Sequence, residues 1–297
     1  MTLPVDKEHQ VYVNVQALFV GGLSIPHRNM FQDSIDEPLS VRSDAPCFAF
    51  LITHPTRGKA LFDMGLRKNA QGYPPAARAR AQEYFYAYCD EDVAEILRKG
   101  GVDPAEVDRV ILSHLHWDHW GDPTPFTSAE IVLGADSKRA LENAYPASPD
   151  SLIQSLPPDR KAVFVDFTGS DVISPIATFD RAIDFYGDGT LYLVDAPGHM
   201  PGHMVALARV APNSFICLAG DTCHHHEAYK PGTRLLSELQ YAEIETARAT
   251  VKRLAELNTN ANKVLVIIAH DAERWGKVPL FPENLGGWAR EEFAKRR

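Results

Sequence analysis

Ser113-His114-Leu115-His116-Trp117-Asp118-His119 places four metal-binding side chains, His114, His116, Asp118 and His119, within six positions. Each offers an imidazole nitrogen or a carboxylate oxygen, donors suited to a borderline cation. Crowded together in an interior without a cation, such groups are costly to bury. The run follows directly on Val110-Ile111-Leu112, an apolar stretch that reads as a buried strand. A strand that hands ligands to its own C-terminal end is a common way to build a metal site.

The same ending recurs in three later segments. Leu191 to Asp195 leads through Pro197-Gly198 to His199, with His203 four residues on. Phe215 to Ala219 leads through Gly220 to Asp221, and Val264 to Ala269 leads to His270 and Asp271. A single His after a strand is ordinarily a hydrogen-bonded loop residue. Four strands ending alike, with glycines giving backbone room, point to one shared site.

Composition narrows the context. The 297 residues are 45% hydrophobic and 23% charged, ordinary for a soluble globular protein with a large core. The formal charge of −9, from 30 basic and 39 acidic residues, disfavours nucleic acid as a partner. Cys47, Cys89, Cys217 and Cys223 form no CxxC pair and read as buried thiols in a reducing compartment. The N-terminal MTLPVDKEHQ lacks the apolar core of a signal peptide, and no run approaches the roughly 18 apolar residues of a membrane span. The expectation is a cytoplasmic protein forming one domain over 1–297. It acts on a small molecule, without nucleic-acid or membrane partners, and a homodimer is left open.

Along the chain, strands are expected at 11–20, 47–53, 59–65, 108–112, 130–134, 162–166 and 264–269. A meander is expected over 176–219, with a hairpin turn at Gly187-Asp188-Gly189. Residues 21–45 and 144–160 read as loops. Helices are expected at 76–99, 238–257 and 286–297, the first framed by Pro74-Pro75 and Gly100-Gly101. Strands dominate each half with helices between and after them, which suggests two sheets face to face with helices outside.

The ordered set His114-x-His116-x-Asp118-His119, Pro197-Gly198-His199-x-Pro201-Gly202-His203, Gly220-Asp221 and His270 resembles the metal motifs of the metallo-β-lactamase superfamily over residues 47 to 275. The resemblance implies an α+β fold, the αββα four-layer sandwich. It implies two divalent cations, zinc first, although iron, manganese and cobalt suit such donors too. His114, His116 and His199 would bind one cation, Asp118, His119 and His270 the other, and Asp221 would bridge them. His203 would be structural. The implied chemistry is attack on an electrophile by a hydroxide held between the cations, with Asp118, Asp221 and His224 in the catalytic group.

Within the superfamily the chain is similar to the N-acyl-homoserine lactonase branch, from the spacing of His199 to Asp221 and the run His270-Asp271-Ala272-Glu273. That implies opening of an acyl-homoserine or related small lactone, and quorum quenching. A thioesterase of glyoxalase II or acyl-carrier type is the alternative. Asp63, in Phe62-Asp63-Met64-Gly65, would support ligand His side chains. Two positions depart from the branch. Its usual Tyr three residues after the bridging Asp is His224 here, in Cys223-His224-His225-His226, and Trp120-Gly121-Asp122 lacks a common second glycine. His225 and His226 read as a surface run. An acyl groove is expected among Leu23, Ile25, Met30, Phe31, the aromatics of 84–88, Trp117 and Trp120.

Overall fold

A computed structural model describes residues 3–259 and 263–295. Two sheets account for the strand-rich halves. The first has six strands in sequential order: β1 (Asn14–Pro26), β2 (Arg42–His54), β3 (Gly58–Phe62), β4 (Val107–Ile111), β5 (Glu130–Gly134) and β6 (Ala162–Val165). β1, β2 and β3 pair antiparallel, whereas β3 through β6 pair parallel. The second sheet contains β7 (Ala182–Asp184), β8 (Leu191–Asp195), β9 (Met204–Ala211), β10 (Ser214–Leu218) and β11 (Val264–Ile267). Its order is β11-β10-β9-β8-β7, parallel only between β10 and β11.

Period-two alternation assigns each strand two apolar faces. Phe50, Ile52, Ile111 and Val132 of the first sheet meet Leu193, Ala206, Ile216, Leu218, Leu265 and Ile267 of the second in one buried layer. The opposite faces are covered separately. Leu51, Leu61, Val110 and Ile131 pack with Ala77, Val93 and Leu97 of the flanking helical segments. Cys217, Val264 and Val266 pack with Ala247, Val251 and Leu254 of helix Ile244–Leu257. The outcome is the αββα sandwich. All four cysteines are buried and free. Among the described residues, no helix is long and apolar enough to cross a membrane.

Four expectations need correction. The segment 21–45 is not one loop. β1 continues to Pro26 because Gly22 to Pro26 pair with Arg42 to Pro46, and short helical turns follow at His27–Met30 and Gln32–Ser34. The helix expected at 76–99 is broken. Pro75–Ala79 is α-helical, Arg80–Tyr84 forms a π turn, and a second helix runs Val93–Lys99 behind an Asp92–Glu95 capping box. Between them the chain leaves helical geometry to pair with β1, as Gly22 and Tyr88 exchange hydrogen bonds at 3.0 and 2.9 Å. The later helix begins at Ile244 rather than 238, since Glu238–Gln240 is a separate 3-10 turn. In the meander, residues 176–179 form a bridged turn and not a strand. The C-terminal helix spans Leu285–Lys295, and the last two residues of the 286–297 expectation lie outside the described residues.

Strands β3, β4, β8, β10 and β11 all end at one rim of the sandwich. Two hydrogen bonds cross between the sheets there. Met204 donates to the Ser113 carbonyl at 2.8 Å, and Phe48 donates to the Ala269 carbonyl at 3.0 Å.

Candidate metal centre and cleft

The four strand ends converge. His114 Nε2, His116 Nδ1 and His199 Nε2 face one another at 2.8, 3.1 and 3.0 Å. A neutral imidazole has one N–H and one lone pair, so no placement of protons satisfies all three contacts. Asp221 Oδ2 lies 3.8 Å from His114 Nε2 and 3.5 Å from His199 Nε2. On the other side, His270 Nε2 is 3.4 Å from both Asp118 Oδ2 and Asp221 Oδ1, and His119 Nε2 is 3.3 Å from Asp221 Oδ2. The seven residues form two groups that share Asp221, and each could hold a cation. His119 Nε2 and Asp221 Oδ1 are buried without a hydrogen-bond partner among the described residues. Such orphaned atoms are what a cation would satisfy. Zinc–nitrogen bonds of about 2.0–2.1 Å in tetrahedral geometry separate donors by roughly 3.4 Å, close to the spacing present.

Electrostatics favour ligation in the first group. Burial, reinforced by His119 and His116, holds His114 well below the usual imidazole range. Burial and His116 do the same for His199, and burial takes His116 down to about 4. All three therefore keep a lone pair for a metal at neutral pH. Burial alone would raise Asp221, but His119, His270 and His224 prevail and hold its carboxyl well below the carboxylate range.

A second layer aims these rings. Asp63 accepts from the Ser113 backbone N–H at 2.7 Å, from Ser113 Oγ at 2.8 Å and from His119 Nδ1 at 2.8 Å. Because a carboxylate only accepts, His119 carries its proton on Nδ1 and turns the Nε2 lone pair inward. Asp63 does this from a left-handed backbone conformation, φ 59°. His270 donates from Nδ1 to the Pro46 carbonyl at 2.9 Å, which frees its Nε2 in the same way. His203 stands outside both groups. It donates to the Ala196 carbonyl at 2.9 Å and accepts from the Asp221 backbone N–H at 3.1 Å. Gly220 makes that approach feasible, since a Cβ there would sit 2.9 Å from His203 Nε2.

His224 lies against the site. Its Nε2 is 3.1 Å from Asp221 Oδ2, and its Nδ1 is 3.0 Å from the Tyr241 hydroxyl. The carboxylate must receive the proton, so the neutral ring carries it on Nε2 and accepts from Tyr241 at Nδ1. Tyr241 has no counterpart in the sequence reading. No motif marks it, and only folding brings it against His224. His225 and His226 are half-buried, not a free surface run. His225 packs edge-on to Phe31 with ring centroids 5.1 Å apart.

A cavity of about 70 Å³ opens over the centre. Leu23, Ile25, Phe85 and Trp117 of the expected groove line it, with Arg80, Leu152 and Gln240. Met30, Phe31 and Trp120 are instead buried in the core, and Tyr86 and Tyr88 face solvent. Helix Ile244–Leu257 closes in behind His199. A Cβ on Gly198, whose φ is +123°, would lie 2.3 Å from the Ala247 nitrogen.

Comparison with known proteins agrees with this geometry. The chain is 31% identical over 290 residues to the cytochrome P450 monooxygenase mpaDE of Penicillium brevicompactum, covering 88% of the chain and 34% of that protein. It thus spans about a third of the length of the first curated relatives it matches. Gamma-lactamase FDB1 of Fusarium pseudograminearum is 31% identical over 295 residues, covering 82% of the chain and 71% of that protein. In three dimensions the chain is similar to a mutant of AiiA from B. thuringiensis with N-decanoyl-L-homoserine bound. That match has a TM-score of 0.69 and 19% identity, over 92% of this chain and 99% of the other. Residues 42–270, which contain all seven residues of the two donor groups, match the metallo-beta-lactamase superfamily, and the chain belongs to that superfamily.

Proposed function

We propose that this protein is a metal-dependent hydrolase that opens a lactone ring to a hydroxy acid. In this reading His114, His116 and His199 hold one divalent cation, Asp118, His119 and His270 hold a second, and Asp221 serves both. The observation that carries it is the pair of donor groups sharing one buried carboxylate at the mouth of a cleft. Divalent cations held by these residues would supply an activated water near neutral pH and a Lewis acid for the oxygen under attack.

The chain's own residues do the rest. Asp118 and Asp221 offset part of the positive charge. His224 presents at the site the Nε2–H that it gives to Asp221 Oδ2, and turning that donor to an oxygen that gains charge would stabilise it; Tyr241 keeps the proton on that nitrogen. Trp117, Phe85 and Leu23 surround a ring with apolar surface and limit competing water. FDB1 is named a γ-lactamase and the AiiA structure holds N-decanoyl-L-homoserine, and a ring-opening hydrolase accommodates both.

Metal analysis of the purified protein, with pH-stat acid release over a panel of lactones and thioesters, tests the proposal. We expect close to two transition-metal ions per chain and acid release from lactones that a chelator abolishes. Thioester cleavage with lactones left intact would replace the lactone reading by a thioesterase. Full activity without metal would end both.

A further inference from the structure

Besides His224, two polar side chains in the cleft, Arg80 and Gln240, belong to neither donor group. Arg80 lines the cavity, and no ion pair or side-chain hydrogen bond engages its guanidinium among the described residues. It lies over the Tyr84 ring at 4.6 Å and the Phe85 ring at 5.3 Å, which orients the charge without neutralising it. Gln240 lines the same cavity, and its Nε2 is buried with no hydrogen-bond partner among the described residues. The remaining contributions of Leu23, Ile25, Phe85 and Leu152 are apolar.

The backbone explains how Arg80 reaches this position. In a regular helix, residues five apart point about 140° away from each other. The π turn closes a hydrogen bond from the Phe85 N–H to the Arg80 carbonyl at 3.1 Å, so the two residues stand about one turn apart. Both can then line one cleft. A π turn is a costly local geometry that recurs at functional sites.

From these observations we propose that the substrate is a lactone bearing an anionic oxygen group, a carboxylate above all, and that Arg80 is the residue that selects it. A fixed guanidinium and an unpaired carboxamide N–H are both donors without acceptors. Their complement is an oxyanion, which an arginine fork binds with two parallel hydrogen bonds. The cleft places Arg80 and Gln240 beside the residues of the two donor groups, so one ligand can reach both. The inference rests on the lactone reading for the bond that breaks, but not for the charge that is recognised.

The test uses an isosteric pair, N-succinyl-L-homoserine lactone and its terminal amide, with the metal-loaded protein. Wild type should favour the carboxylate over the amide by about tenfold in kcat/KM, through KM. Arg80→Met should remove most of that preference, and Arg80→Lys should keep part of it. Calorimetry with the two ring-opened acids reads the same ratio in Kd without turnover. The metal ions attract both acids through the shared homoserine carboxylate, so only the substituent differs. No preference in wild type, or an equal preference in Arg80→Met, overturns the proposal. If neither lactone opens, the lactone reading falls, and the calorimetric ratio still decides the role of Arg80.

Discussion

Asp63→Asn gives the sharpest test of how the centre is prepared. The side chain keeps its size, so the buried packing at Phe62 and Met64 should survive. The Asn carbonyl can still accept from the Ser113 backbone N–H, which Asp63 engages at 2.7 Å. The amide NH₂ then faces His119 Nδ1, where a carboxylate oxygen now sits at 2.8 Å. Two donors cannot share that contact, so His119 must move its proton to Nε2. That atom is the one turned toward Asp221 at 3.3 Å, and a protonated Nε2 has no lone pair for a cation. Loss of such a supporting partner weakens metal binding by about 10–100-fold. One lost charge-assisted hydrogen bond should cost the fold about 1–3 kcal/mol. Titration against a chromophoric chelator should show two steps in wild type and weakening of one of them in Asp63→Asn. Urea unfolding of the metal-free proteins supplies the stability comparison. Two unchanged metal affinities in a folded Asp63→Asn protein would refute the tautomer argument.

Three further outcomes follow from the geometry. Tyr241→Phe keeps the ring but frees His224 Nδ1. It should lower kcat by about tenfold at little cost to stability, and an unchanged pH–rate profile and kcat would remove Tyr241 from the site's function. Asp221→Ala removes the shared carboxylate, so metal content and hydrolysis should fall together while circular dichroism reports a retained fold. Wild-type turnover by that metal-poor variant would contradict the assignment. Burial pushes the Cys89 and Cys217 thiols up to about 12 and raises Cys47 and Cys223 as well. Thiolate is the reactive form, so the native protein should resist a disulfide reagent at pH 8, and all four thiols should react after unfolding.

Much of this site could be read from the chain because its signals are local. Each candidate ligand follows an apolar strand whose alternation survives folding, as at Phe215 to Leu218, where odd and even residues enter different layers. The parts that escaped reading depend on contacts distant in sequence. The run 76–99 has helical composition, yet β1 draws Phe85 and Tyr88 out of the helix through hydrogen bonds to Ser24 and Gly22. Tyr86 takes φ 49° as the chain turns there. Arg80 could not be seen as a cleft residue because its direction depends on that break. Tyr241 sits just before the helix Ile244–Leu257, 17 residues from His224, and nothing local marks their contact.

The clash that any side chain on Gly198 would meet at Ala247 has a wider meaning. The His199 loop and the helix behind it are wedged together with no slack, so variation there disturbs the chemistry itself. The facing rim presents the side chains of Leu23, Ile25, Arg80 and Leu152, none of them in either donor group. If the proposed activity holds, a lineage that retools this protein for another compound has that rim to work with: one flank is an anvil, and the other is where the die is cut.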